Sequence, residues 1–159
     1  MDSDGQFDLR DLARLLALRE QGYRAVLGSR EHRQDGAIRR LNAWGWNLLV
    51  SLLFGLRVRD VDCAFKVYDT DLVRMLGVHS EGAMVNTEML VKLKLLGIRT
   101  IETPVRHLPR LHGSATGANP RVILRAFREL LRLRTRLSGW RPTQPLADAS
   151  VAPSQVMRG

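Results

Sequence analysis

The residues best suited to chemistry stand at the very start of the chain: Asp2 and Asp4, one residue apart, then Gly5 and Gln6. On an extended backbone, carboxylates at i and i+2 share one face, because side chains alternate with period two. Just after a strand, both could approach one ligand. Two carboxylates and an amide carbonyl are hard oxygen donors, the kind that holds Mg2+ or Mn2+ together with substrate phosphates. An EF-hand loop beginning here does not fit, because its sixth position would be Phe7 and its twelfth Ala13. A second acidic pair with the same spacing, Asp60 and Asp62, offers either general-base chemistry or the polar side chains of a turn. His107 and His112 have no cysteine beside them and so lack the spacing of a zinc site.

Several elements must position these groups. Phe7 to Gln21 carries Leu9, Leu12, Leu15 and Leu16 at helical spacing and reads as an amphipathic helix ended by Gly22. Arg24 to Ser29 reads as a short strand, and Arg30 to Gly36 as a charged loop. Ala37 to about Gly55 is a more apolar helix, followed by an extended piece, Val58 to Tyr68. Asp69 or Thr70 caps a brief helix ending near Gly77, and Thr87 caps another, Glu88 to Leu96, closed by Gly97. Ile98 to His107 alternates in part and reads as a strand, with Pro104 marking an edge or a bend. A loop over 108–119 leads to Pro120, which suits the first position of a last helix running to about Leu137. Residues 142–159 are polar and proline-bearing and read as a disordered tail. Alternating helices and strands without an internal repeat point to one α/β domain.

Further short strings follow the acidic start in order. They are Gly28-Ser29-Arg30, Arg39-Arg40-Leu41-Asn42, Asp60-Val61-Asp62-Cys63-Ala64-Phe65-Lys66, Asn86-Thr87-Glu88, Glu102-Thr103-Pro104-Val105 and Arg110-Leu111-His112-Gly113-Ser114. Each is common alone. Together, across residues 2–114, they resemble glycosyltransferase family 2, and within it the polyprenyl-phosphate (dolichyl-phosphate) mannosyl- and glucosyltransferase-like branch. The resemblance implies a GT-A fold, a Rossmann-like α/β sandwich, here over residues 1–141 with a basic amphipathic helix at 120–137. It also implies a metal-dependent transfer of a hexose from a nucleotide-sugar to a polyprenyl phosphate or another membrane-proximal acceptor such as a glycolipid.

Carried over position by position, the resemblance makes Asp2, Asp4 and Gln6 the ligands of Mg2+ or Mn2+. It sets Ser29, Arg30, Lys66, Glu88, Arg110, Gly113 and Ser114 toward the donor and its phosphates, and Arg39 or Arg40 toward the lipid phosphate. An ionised phosphate acceptor needs no strong base. A hydroxyl acceptor would need one, and Asp60 or Asp62 is then the candidate. The chain departs from the pattern at Ala43, Ala64 and Ala115, where the family has serine, glycine and serine. The family also carries a nucleotide-binding half ahead of the acidic motif. The expectation is therefore a carboxy-terminal part that needs the missing half, or another subunit, for full turnover.

The net charge of +9 comes almost wholly from arginine, since Lys66, Lys92 and Lys94 are the only lysines among the 25 basic side chains. Planar guanidinium forks suit phosphate, so anionic partners are expected: an acidic membrane surface, phosphorylated ligands or nucleic acid. Nucleic acid is set aside, because no zinc finger, RNP-type aromatic motif or helix-turn-helix is readable and the acidic motif gains nothing from that role. The arginines of 118–141 alternate with leucines in the manner of a helix lying on anionic lipid. An acidic amino terminus without an apolar run and a single cysteine, Cys63, give the expectation of a cytoplasmic protein, peripheral on the inner face of the plasma membrane.

Overall fold

A computed structural model of the chain describes residues 5–31, 37–108 and 120–142, with the side chains of 37–40 and 120–121 outside that set. The acids Asp2 and Asp4, the 110–115 string and the tail beyond 142 lie outside the described residues. Helices and strands alternate as the sequence suggests: α1 (Leu12–Glu20), β1 (Ala25–Glu31), α2 (Ala37–Phe54), β2 (Lys66–Tyr68), α3 (Thr70–Leu76), α4 (Met84–Leu95), β3 (Thr100–Arg106) and α5 (Pro120–Leu137). The three strands form one sheet in the order β2-β1-β3. β1 runs antiparallel to β2, with Ala25 opposite Tyr68, and parallel to β3, with Arg30 opposite Val105.

β1 is buried on both faces, and its period-two alternation divides the core. Ala25 and Leu27 face a cluster with Val50 of α2, Leu72 of α3, Leu93 of α4 and Leu130 of α5. Val26 faces the opposite cluster, with Leu15 of α1, Cys63, Phe65 and Val105. Gly28 continues β1 where residues 63–65 cross it closely. Its N–H donates to the Phe65 carbonyl at 2.8 Å, and a Cβ there would stand 2.5 Å from that same oxygen. Gly28→Ala is therefore expected to cost about 1–3 kcal/mol, read as a lower urea midpoint at unchanged m-value. An unaltered midpoint would show that the crossing segment is free to yield.

The elements differ from the sequence reading where tertiary contacts override local signals. The helix expected from Phe7 begins later. Phe7 instead bridges His107, Leu9–Asp11 forms a 3-10 turn, and α1 starts at Leu12. Asp8, Asp11 and Arg106 cause the delay: Arg106 Nη2 meets Asp11 Oδ1 at 3.0 Å and Arg106 Nη1 meets Asp8 Oδ2 at 3.1 Å, tying this turn to the end of β3. Asp69 occupies the N-cap of α3 but makes no capping bond, because its carboxylate pairs with Arg19 and Arg24. α4 begins three residues before Thr87, which is a buried interior residue and not a cap. β3 is a flank of the sheet: Pro104 lies exposed in it, and Arg14 Nη1 donates to the Pro104 carbonyl at 2.9 Å.

α2 ends at Gly55, whose φ of +62° suits glycine. Lys94 Nζ caps the last carbonyls of α2, Phe54 and Gly55, at 2.7 and 2.8 Å. α5 packs by Leu130, Leu133 and Leu137, while Leu124, Phe127 and Leu131 stay exposed among its arginines. The basic helix thus has one face in the core and a second apolar face outside it.

Candidate active site

The end of β1 delivers Ser29 and Arg30 beside the segment Arg59–Asp62. The Arg30 guanidinium forks onto Asp60, Nε to Oδ2 at 2.6 Å and Nη2 to Oδ1 at 2.7 Å, with both side chains nearly buried. Burial disfavours the charge on Arg30, but the bonds and charge of Asp60 outweigh it and hold the guanidinium more firmly protonated than usual. Three other elements fix the same segment. Asn47 of α2 donates to the Arg59 carbonyl and accepts from the Val61 N–H, each at 3.1 Å. Glu102 of β3 accepts from the Arg59 N–H at 2.8 Å. Lys66 of β2 donates to the Val61 carbonyl at 2.9 Å and to Asn86 of α4 at 3.0 Å. Trp46 Nε1 donates to Asp62 Oδ1 at 3.2 Å.

This setting separates the two acids. Asp60 is spent on Arg30. Asp62, half-buried, has its carboxyl pushed up by burial and then by the neighbouring Asp60 charge. Burial lowers the Lys66 amine to about 8 and raises the Cys63 thiol to about 11. Ser29 stands in β1 opposite Pro104. Arg39 and Arg40 fall in the first turn of α2, where cations oppose the helix dipole.

A cavity of about 530 Å3 opens above this cluster, between α2 and α5. Its walls are apolar, chiefly Leu41, Trp44 and Trp46 on one side and Val122, Ile123 and Phe127 on the other. Arg30 and Asp62 form its polar end. The walls touch through an edge-to-face contact of Trp46 with Phe127, centroids 6.3 Å apart, and Arg134 donates to the Leu53 carbonyl further along.

Glu88 requires a correction. The resemblance sets it toward the sugar, but it is fully buried and its carboxylate serves the protein interior. It meets Lys92 Nζ at 2.6 Å and Arg136 Nη2 at 2.9 Å, and accepts the Ser80 N–H at 2.7 Å. Burial alone would raise its pKa. The bonds from Lys92, Ser80 and His79 win and hold it at about 2. A carboxyl depressed in the fold contributes stability that is present above about 4.5 and lost as pH falls toward about 2. The slope of unfolding free energy against pH across that window is expected to be shallower in Glu88→Gln than in the parent chain. Equal slopes would place the acid sensitivity elsewhere.

Gln6 is buried, its Nε2 donating to the Leu108 carbonyl at 3.2 Å while the Leu108 N–H donates to the Gln6 carbonyl at 2.8 Å. The other end of that amide is an oxygen, the donor type that joins two carboxylates around Mg2+ or Mn2+. The chemistry of Asp2, Asp4 and Gln6 therefore fits such an ion. Among the described residues no group of three His, Cys, Asp or Glu is placed to hold a metal. Sequence reading missed Asn47, Trp46, Asn86 and Glu102 as supports of the site. Asn47 carried a signal, as an amide inside an otherwise apolar helix.

Comparison with curated proteins finds relatives over the greater part of the chain. Glycosyltransferase AglJ of Haloferax volcanii is 28% identical over 124 residues, covering 76% of this chain and 41% of that protein. Undecaprenyl-phosphate 4-deoxy-4-formamido-L-arabinose transferases of Edwardsiella ictaluri and Shewanella sediminis are each 30% identical over 116 residues, 72% of this chain and 34% of theirs. Over that span the chain is similar to transferases of glycosyltransferase family 2. It spans well under half the length of these family 2 relatives. No family model matches it, and no solved structure does. For a family 2 chain the arrangement is chemically coherent: an arginine-bearing strand end, a rigidly held acidic segment and an apolar groove meet at one place.

Proposed function

We propose that the chain forms the acceptor side of a hexosyltransferase that moves a sugar from a nucleotide-sugar onto a polyprenyl phosphate at a membrane surface. The observation that carries this reading is the groove between α2 and α5, apolar along its walls and ending at Arg30 and Asp62. That is the shape of a site for an isoprenoid chain with a polar head. Arg39 and Arg40, at the start of α2, add cations on the element that forms one wall, and holding an anionic nucleophile by cations offsets its repulsion from a diphosphate donor. The GT-A architecture is part of this reading, supported by the three-stranded α/β core and the delivery of Ser29 and Arg30 at the end of a strand.

Asp2, Asp4 and Gln6 would hold the Mg2+ or Mn2+ ion, which when bound supplies positive charge to the departing diphosphate. Arg110, Gly113 and Ser114 would face the same phosphates. Asp4 precedes Gln6 by two positions and Arg110 follows Leu108 by two, and Gln6 and Leu108 are hydrogen-bonded to each other. No helix among the described residues is long and apolar enough to cross a membrane. The exposed Leu124, Phe127 and Leu131 between Arg125, Arg128 and Arg132 support a peripheral seat on the inner face of an anionic bilayer. A second reading, transfer to a saccharide or lipid hydroxyl, is favoured by one feature: Asp62 lines the groove and is available as base, whereas Asp60 is committed to Arg30.

The test uses two of the three tryptophans, Trp44 and Trp46, which line the groove. In a Trp140→Phe background, titration with farnesyl phosphate is expected to blue-shift and saturate their fluorescence. A spectrum indifferent to the lipid would remove the acceptor assignment.

A further inference from the structure

The polar end of the groove is peculiar for a phosphate site. Arg30 and Asp62 are the only ionisable side chains among its described lining residues. The Arg30 fork already lies on Asp60 at 2.6 and 2.7 Å. The Lys66 ammonium, the other nearby cation, is turned to the Val61 carbonyl and to Asn86. The hydrogen bond described for Asp62 comes from an uncharged donor, Trp46 Nε1 at 3.2 Å. Among the described residues, the charged groups facing Asp62 are thus Asp60 from its own segment, Arg30 from β1 and Lys66 from β2. Among the described residues, α2 contributes the Trp46 indole, and α5 contributes apolar side chains, Ile123, Ala126 and Phe127. Two positive and two negative charges cancel, and with the Arg30 fork taken up by Asp60, the Asp62 carboxylate faces the cavity beside it. An incoming phosphate would meet that carboxylate at close range within apolar walls, where like-charge repulsion is strong.

We propose that Asp62 sets the charge of the head group the groove admits: a phosphate-bearing lipid enters together with a proton taken from solvent onto Asp62, whereas a hydroxyl head enters with Asp62 ionised. This rests on the reading of the groove as an acceptor site. The neutral carboxylic acid then donates its O–H to a phosphate oxygen. The ionised carboxylate instead accepts the O–H of an alcohol. One side chain, in its two protonation states, so distinguishes the two acceptor classes that family 2 resemblance leaves open. Burial and the Asp60 charge both favour the protonated form.

The test needs a ligand whose own charge does not change, so the probes are geranyl methyl phosphate, a diester with one charge throughout, and geraniol. Affinities would be measured by calorimetry at pH 5.5 and 8. The parent chain is expected to bind the diester at least about tenfold more tightly at the lower pH, as proton linkage requires, and geraniol no more tightly there than at pH 8. At pH 8, calorimetry in buffers of different ionisation enthalpy is expected to show uptake of about one proton per diester bound. Asp62→Asn is expected to bind the diester at pH 8 as the parent does at pH 5.5. Diester binding by the parent that ignores pH, without proton uptake, would overturn the proposal and leave the acceptor groove standing. So would a pH dependence that survives in a folded Asp62→Asn chain. Failure of both lipids to bind would remove the groove assignment itself. Should the variant not fold, the parent's pH dependence and proton uptake decide the matter.

Discussion

Glu88→Gln is expected to lower the free energy of unfolding by about 3–5 kcal/mol, the usual effect of leaving a buried partner charge uncompensated. Lys92 is fully buried. Its ammonium reaches the Leu76 and Gly77 carbonyls at 2.8 and 2.7 Å, meets Glu88 at 2.6 Å, and stands 5.0 Å from the Trp140 ring. It therefore closes the end of α3 and packs beneath the residue just past α5. Arg136 brings α5 to the same carboxylate. Removing one charge leaves two cations facing an amide. Lys92→Met in the same background is expected to recover part of the loss, with a coupling of about 1–3 kcal/mol in a double-mutant cycle. Urea unfolding of the four chains measures this. Additive losses would mean that Glu88 and Lys92 do not act as a pair.

Arg30→Gln is expected to have a comparable effect, about 3 kcal/mol, for a related reason. Asp60 is nearly buried, and its described partner is the Arg30 fork and N–H. Glutamine can return one hydrogen bond but no charge, so the 59–62 segment is expected to loosen. Arg30→Lys tests geometry apart from charge. A single ammonium cannot span both carboxylate oxygens, so this change is expected to cost about 1–2 kcal/mol. The same variants should weaken farnesyl phosphate binding, because they disturb the polar end of the groove. Variants as stable as the parent would show that the fork contributes nothing to holding the acids.

Much of the fold was readable where local chemistry and tertiary demand agree. Pro120, Gly77 and Gly22 mark helix limits because backbone geometry leaves few alternatives, and the apolar run after Ala37 becomes α2. Reading failed where one distant side chain settles the outcome. Asp11 pairs with Arg106 across 95 positions, so the first turn of the expected helix is spent on β3. Val58–Tyr68 looks uniformly extended, but only 66–68 ladder with β1. The rest is pinned by Asn47, Glu102 and Lys66, and a bond from a side chain leaves no periodic trace. Glu88 was legible as a special residue and misread in role. A glutamate among apolar neighbours signals an obligatory partner, yet sequence does not say whether that partner is a sugar or Lys92.

The closing of β3 at Pro104 has a directional outcome. In a strand the N–H and C=O of one residue point the same way; proline offers no N–H, and Arg14 occupies the carbonyl. That flank is blunted against annealing to another polypeptide. Growth of the sheet is steered to the opposite margin, beyond Lys66–Tyr68, and a complementing domain would have to zip on there.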